Sequence, residues 1–315
     1  MAPQLRCVIV GPGRSRNGLG PFLARFAERC GMRVVAALGR DAARTRQATE
    51  VLVRQLGHPI EVLIGIEALR DGPECDAVII ASPPDAHLPA LRAALDRGLH
   101  VLCEKPLVPV DRDAMVDDLC DGFARAGLVL AENCQWPFVL SVFERLFPGS
   151  RRCIECFDLG LSPAFAGRAM LEDSLSHFLS VAQALAPLDR HTAFRIRLAP
   201  SDLATAQGCD LEVRFEGDFG RLEGHLELRR VTDQPRPAWI SLDGHRIDRV
   251  IRMPDYALSW RAADGRLEPG DDPMGQLVYG FVDLIRERPL DRIRAESERV
   301  RTRSRLYRGI LEACT

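Results

Sequence analysis

Over residues 5–131 the chain alternates short, mostly apolar runs with longer stretches whose apolar residues recur at helical spacing. The runs fall at residues 5–10, 33–38, 77–81, 100–103 and 128–131, with helical patterns at 20–30, 41–56 and 86–97 between them. Strands apolar on both sides must be covered on both sides, and helices between them supply the cover, so this pattern predicts a parallel sheet in an α/β layer fold. From about residue 135 the period changes. Residues 152–159, 193–198, 210–216 and 221–229 alternate apolar with polar positions, which predicts a largely antiparallel sheet with one covered face. Helical patterns at 168–185, 273–288 and 297–314 complete this half. The fold class expected is therefore α/β: a Rossmann dinucleotide-binding domain over residues 1–134, followed by an α+β domain with a largely antiparallel open sheet over 135–315. The break falls near Trp136-Pro137, where the residue before proline disfavours helix. A length of 315 residues suits two cores better than one.

Composition removes several classes of function. A net charge of −2 leaves no global basic field for nucleic acid, and the arginines of residues 292–308 are interleaved with Glu and apolar residues, as on an exposed helix face. No apolar run reaches the roughly 18 residues that span a bilayer. The apolar start is too short for a secretion signal, so a cytoplasmic protein is expected. The ten cysteines are scattered, and the single CxxC, Cys153 and Cys156, falls in a strand pattern that points them to opposite faces. No metal site is expected.

The turn after the first run reads Gly11-Pro12-Gly13-Arg14-Ser15-Arg16-Asn17-Gly18-Leu19-Gly20. A dinucleotide needs glycines here, because the turn is tight, the backbone approaches the pyrophosphate, and the following helix offers unpaired N–H groups. In the usual GxGxxG the third glycine comes sooner; here it is Gly18 or Gly20, and the loop is about two residues longer. Gly11, Pro12, Gly13, Ser15 and Gly18 are candidate coenzyme contacts, with Arg14 and Arg16 suited to phosphate. The second run ends in Gly39-Arg40-Asp41. Gly39 puts no carboxylate where an NAD-preferring domain places one against the ribose 2′-OH. Arg40 can grip a 2′-phosphate, and Asp41 reads as a helix N-cap. NADP is the expected coenzyme, with NAD as the alternative.

Two further segments, Ser82-Pro83-Pro84-Asp85-Ala86-His87 and Glu104-Lys105-Pro106, follow apolar runs and so lie at carboxyl ends of parallel strands, where open α/β sheets bind ligands. Ser82, Pro83, His87, Glu104 and Lys105 join the candidate coenzyme contacts. Downstream, Asp173 and His177 are four apart in a helical pattern and share a face. A carboxylate-supported histidine is a proton carrier near neutral pH; from the spacing alone, a surface pair is the plainer reading.

The run ASPPDAHLPALRAALDRGLHVLCEKPL resembles the Gfo/Idh/MocA oxidoreductases, and the resemblance extends to LEDSLSHF and SERVRTRSRLYRGILEA. It implies an NAD(P)-dependent oxidoreductase that moves a hydride between nicotinamide and a carbinol or carbonyl carbon of a sugar-like or polyol substrate. It implies catalytic roles for Lys105, Asp173 and His177, and places Asn133, Gln135 and Trp136 beside the substrate. In the family the uncovered face of the second sheet makes dimers, so a homodimer or homotetramer is expected. The family's Asp-x-Gly-x-His-x-x-Asp reads here with Leu175 for the glycine and Ser180 for the second aspartate. Leu175 is expected to narrow the pocket. These departures motivate a rival reading, a coenzyme-binding sensor or accessory protein without turnover; a second alternative is an imine or biliverdin-type reductase on the same fold, whose acceptor is not a sugar.

Overall fold

A computed structural model describes residues 4–13, 19–150, 154–200, 203–254 and 256–314. The chain forms two compact units: residues 1–133 with 274–301, and residues 134–273 with 302–315.

The first unit is built on six parallel strands: β1 (Leu5–Val10), β2 (Met32–Gly39), β3 (Glu61–Ile64), β4 (Ala77–Ile80), β5 (His100–Cys103) and β6 (Leu130–Glu132). Their order, β3-β2-β1-β4-β5-β6, reverses direction between β1 and β4. Helices α1 (Gly20–Arg29), α2 (Ala42–Leu56), α3 (His87–Asp96) and α4 (Val116–Ala126) make the connections. The strand centres are sealed: Cys7 to Ile9, Ala77 to Ile80 and Val101 to Cys103 have no exposed surface. This is why their sequences lack the polar alternation of a half-exposed sheet. The helix α7 (Pro273–Glu287) docks on α1, where Gly275 leaves room for the Phe26 ring and Arg286 donates to the Cys30 carbonyl at 2.8 Å. The final helix, α8 (Leu290–Ala313), divides between the units after Arg301, which pairs with Asp117 and Asp121 of α4. It begins at Leu290 rather than 297, because Glu and Arg at helical spacing continue the pattern upstream without an apolar stripe.

The second unit holds an eight-stranded sheet: β7 (Cys156–Leu161), β8 (Ala193–Ala199), β9 (Gly208–Gly217), β10 (Gly220–Arg229), β11 (Ala238–Leu242), β12 (His245–Arg252), β13 (Ala257–Ala262) and β14 (Leu267–Pro269). The order is β14-β13-β12-β11-β7-β10-β9-β8, and every pair is antiparallel except β7 with β10. A short helix, α5 (Leu140–Leu146), lies near β14, and the long helix α6 (Arg168–Leu185) packs across β7 and β10. Phe178 of α6 stacks on Phe157 of β7 at 4.8 Å, and Gly224 of β10 has only a hydrogen beneath both rings. Strands β11 to β14 escape the sequence pattern: β11 and β14 are short, and along β12 and β13 arginines, an aspartate and half-buried apolar residues mix. Among the described residues no helix is long and apolar enough to cross a membrane.

His100 fastens the start of β5. Its buried Nδ1 accepts from the Val129 N–H at 2.9 Å, so the ring must be neutral there. Burial pushes its pKa down to about 4, with Arg288 adding and Asp76 opposing. The unfolded chain therefore binds a proton that the folded chain refuses. His100 contributes its full stability above about pH 6.5 and loses it as pH falls toward 4, a span of about 3 kcal/mol. Denaturant melts between pH 7.5 and 4.5 should show this slope. His100→Gln, whose amide oxygen can still accept from Val129, should flatten it; equal slopes in the two proteins would assign the acid lability elsewhere.

Candidate active site

The first unit gathers its candidate residues at the carboxyl ends of β1, β2, β4 and β5. Gly11 leaves β1 with φ +81°, and its N–H donates to the Leu38 carbonyl at 2.9 Å. A Cβ on Gly11 would stand 2.7 Å from the Ser82 nitrogen and 2.8 Å from the Ala81 carbonyl carbon. The position therefore demands glycine twice, by conformation and by the approach of the neighbouring strand end. Pro12 is buried and Gly13 half-buried behind it. The expected contacts Arg14, Ser15 and Gly18 lie outside the described residues, as does Arg16. Of the two late glycines the sequence offers, Gly20 opens α1, and a Cβ there would press on the Gly11 carbonyl oxygen. It thus performs the close helix-to-turn packing expected of a third glycine. Pro21 follows it at the start of the helix, and no side chain caps that end. The Phe22 and Leu23 N–H groups both donate to the Leu19 carbonyl at 3.0 Å.

At the end of β2, a side chain on Gly39 would collide with the Thr45 hydroxyl. Arg40 is exposed beside it. The Asp41 carboxylate accepts from the Arg44 N–H at 2.8 Å, the N-cap bond its position suggests.

The β4 and β5 ends are tied to one another. His87 has no exposed surface; its Nε2 lies 2.8 Å from the Ser82 carbonyl and its Nδ1 2.9 Å from the Pro106 carbonyl. Burial pushes its pKa down against the pull of these carbonyls. A neutral ring donates to one of the two loops and packs tightly against the other. Ser82 Oγ is buried with no partner among the described residues, and Pro83 is exposed next to it. The half-buried Lys105 stands in the loop so fastened. From the other side, Asn133 Nδ2 donates to the Glu104 carboxylate, and the Asn133 N–H donates to the Cys103 carbonyl at 2.7 Å. The buried Glu132 accepts from the Leu107 N–H at 3.1 Å. Glu132 goes unremarked in the sequence reading; its signal is a lone carboxylate closing the apolar run LVLAEN.

The second unit holds the remaining candidates. Asp173 and His177 are half-buried on one face of α6. Leu175 is fully buried on the opposite face, because two positions along a helix is a turn of about 200°. It packs into the core and does not face the side that carries Asp173 and His177. Ser180 Oγ donates to the His177 carbonyl at 2.7 Å, so it holds the helix backbone behind the histidine. Tyr307 of α8 donates to the Glu172 carbonyl at 3.0 Å in the same turn. Trp136 is buried edge-on against Trp260, ring centres 5.9 Å apart, and the Gln135 Oε1 is buried with no partner among the described residues. Cys156 is exposed at the start of β7, and Cys153 lies outside the described residues. Among the described residues no three His, Cys, Asp or Glu side chains cluster to hold a metal ion.

Glycine positions that a Cβ would fill and a buried serine hydroxyl suit the diphosphate of a nicotinamide dinucleotide. Comparison with known proteins agrees. Inositol 2-dehydrogenase of Streptomyces avermitilis is 31% identical over 180 residues, 54% of this chain and 50% of that protein. D-xylose 1-dehydrogenase (NADP(+)) 2 of Haloferax volcanii is 40% identical over 104 residues, 33% of this chain and 30% of that protein. The matches thus span half or less of these curated relatives. The structure of UDP-N-acetylglucosamine 3-dehydrogenase from Acidithiobacillus ferrooxidans superposes with a TM-score of 0.67 at 19% identity, covering 98% of both chains. A 3-ketoreductase variant from Actinomadura kijaniata, in complex with TDP-benzene and NADP, gives 0.69 at 18% identity over 97% of this chain and 96% of that one. At such identities these two show the fold. The family model GFO_IDH_MocA, described as the oxidoreductase family with NAD-binding Rossmann fold, matches residues 5–134, so that segment of the chain is similar to the dinucleotide-binding domain of those oxidoreductases.

Proposed function

We propose that this protein is an NAD(P)-dependent oxidoreductase acting on a carbinol or carbonyl carbon of a sugar-like or polyol substrate. The observation that carries this reading is the Gly11–Ser82 approach, together with a Lys105 loop braced by His87, Glu132 and Asn133 beside it. Substrates named for the relatives, from inositol to nucleotide-linked sugars, support the substrate class. On this reading residues 1–134 hold the coenzyme, and residues 135–315 hold the substrate and the contacts between copies. Gly11, Pro12, Gly13, Ser82 and Pro83, with Arg14, Ser15 and Gly18 of the loop, line the coenzyme, and Glu104 and His87 shape its site. A bound nicotinamide coenzyme supplies the hydride chemistry.

The chain's own work is to orient the substrate and move a proton. His177 takes the hydroxyl proton in oxidation and returns it in reduction. Asp173, on the same helix face, holds the ring and favours the imidazolium. Lys105 stabilises the developing charge on the substrate oxygen. Asn133 and Gln135 are the polar neighbours of the substrate, and Trp136 supplies a rigid wall from its buried position. The uncovered face of β8 to β10 supports a homodimer or homotetramer, and dependence on a soluble coenzyme supports work in the cytoplasm. The intact trio of Lys105, Asp173 and His177 favours turnover over a sensor role.

Lys105→Met should fold and still bind coenzyme, because the glycine turn is untouched, yet lose about 10²-fold or more in kcat on whichever polyol or sugar the wild type turns over. Near wild-type turnover would remove Lys105 from catalysis.

The coenzyme is NADP(H). Gly39 offers no carboxylate to repel a 2′-phosphate, Asp41 is engaged in its cap, and Arg40 is free in solvent to meet the phosphate. Arg40→Ala should weaken NADP(H) by about 1–3 kcal/mol and leave NAD(H) little changed in fluorescence titrations. Equal losses would mean that Arg40 only stacks on adenine, and tighter NAD(H) binding by the wild type would reverse the preference.

A further inference from the structure

The face of the second sheet turned away from α6 is charged along its whole width. On its β8–β10 half the charges cancel locally: Arg214 pairs with Glu223 at 2.9 Å, Arg229 with Asp210 at 3.0 Å, and His225 lies 3.4 Å from both Asp158 and Asp210. The half formed by β7 and β11 to β13 differs. There a cavity of about 430 Å³ is lined by five arginines, Arg229, Arg236, Arg246, Arg249 and Arg261, against two carboxylates, Glu227 and Asp248.

The arginines divide into two kinds. Arg246 pairs with Asp248 at 2.7 Å and lies 4.0 Å over the Trp239 ring; that ring lies flat on the sheet because Gly160 beneath it has no side chain. Arg229 is engaged by Asp210. Arg236, Arg249 and Arg261 have no carboxylate within ion-pair distance among the described residues. Arg249 spends one N–H on the Arg236 carbonyl at 2.8 Å, which draws the two arginines together, and Nε of each is buried without a partner. Burial pushes the Arg249 pKa below its ordinary value; Asp272 opposes this, and Arg236 adds a smaller push in the same direction as burial. Half-buried, like-charged guanidiniums with a buried, unpartnered Nε each are costly unless an anion meets them. Arginine's planar fork matches the geometry of phosphate oxygens.

We propose that this cavity binds a compact oxyanion of the phosphate class, carrying more than one negative charge, through Arg236, Arg249 and Arg261. The site belongs to the second unit alone and does not depend on the coenzyme reading. Both faces of Trp239 are already covered, by Gly160 and by Arg246, so the site recognises the anionic group and not a stacked base.

The test is calorimetric titration of the full chain with inorganic diphosphate at low ionic strength. Because the glycine turn of the first unit also suits a diphosphate, the measurement is made on the wild type, on the double variant Arg236→Gln/Arg249→Gln and on Arg261→Gln. Coenzyme fluorescence titrations and light scattering run alongside. Expected are saturable binding to the wild type, a loss of tenfold or more in affinity in the double variant, a smaller loss in Arg261→Gln, and unchanged coenzyme affinity in both. Arg261 is exposed, so its variant carries the test if the double variant does not fold. Equal diphosphate affinity in all folded proteins would put the anion elsewhere and overturn the proposal. So would absence of binding to the wild type, including the case in which the variants only change the oligomer, which would assign these arginines to a second copy of the chain.

Discussion

The close approach of two strand ends organises the first unit. β1 and β4 are neighbours at the point where the strand order reverses, and their chains leave the sheet in opposite directions. Gly11 and Ser82 meet there with no room for a Cβ. A side chain at Gly11 would push the β4 loop away, and with it His87, whose ring reaches from the Ser82 carbonyl to Pro106. The Lys105 loop hangs on that ring from one side and on Glu132 and Asn133 from the other. One missing methyl group thus sets the spacing of the crevice, and a buried imidazole transmits it to the lysine.

In the second unit an aromatic contact has the corresponding role. Phe178, Phe157 and Phe215 lock α6 onto its sheet, and Gly224 admits the rings. This fixes the rotation of α6, so that Leu171, Leu175, Phe178 and Leu179 are buried while Asp173 and His177 keep partial access to solvent. Of the two residues that depart from the Asp-x-Gly-x-His-x-x-Asp pattern, Leu175 lies opposite that face, and Ser180, seven positions after Asp173, lies on it. Leu175 adds to the core, and Ser180 holds the His177 carbonyl.

Much of this was open to reading from the residues. The buried parallel strands announce themselves because a strand covered on both faces tolerates almost no polar residue, and β1, β4 and β5 fall within a residue of their apolar runs. Asp41 reads as a cap because its geometry is local. The i,i+4 pairing of Asp173 and His177 is likewise a property of one helix. Strands β11 to β14 were hidden, since a charged open face and short turns blur the period of two.

What the sequence by itself determined, then, is whatever depends on neighbours along the chain: strand and helix periods, caps, the glycine-rich turn and the family motif around Glu104-Lys105-Pro106. The tertiary structure decided what depends on residues far apart in sequence. It packed Gly20 on the Gly11 carbonyl, gave Glu132 a loop N–H to hold, turned Leu175 into the core, and collected Arg236, Arg249 and Arg261 around one cavity. No periodicity reports such contacts, because each is fixed by the register and rotation of separate elements, and those are set only when the cores close.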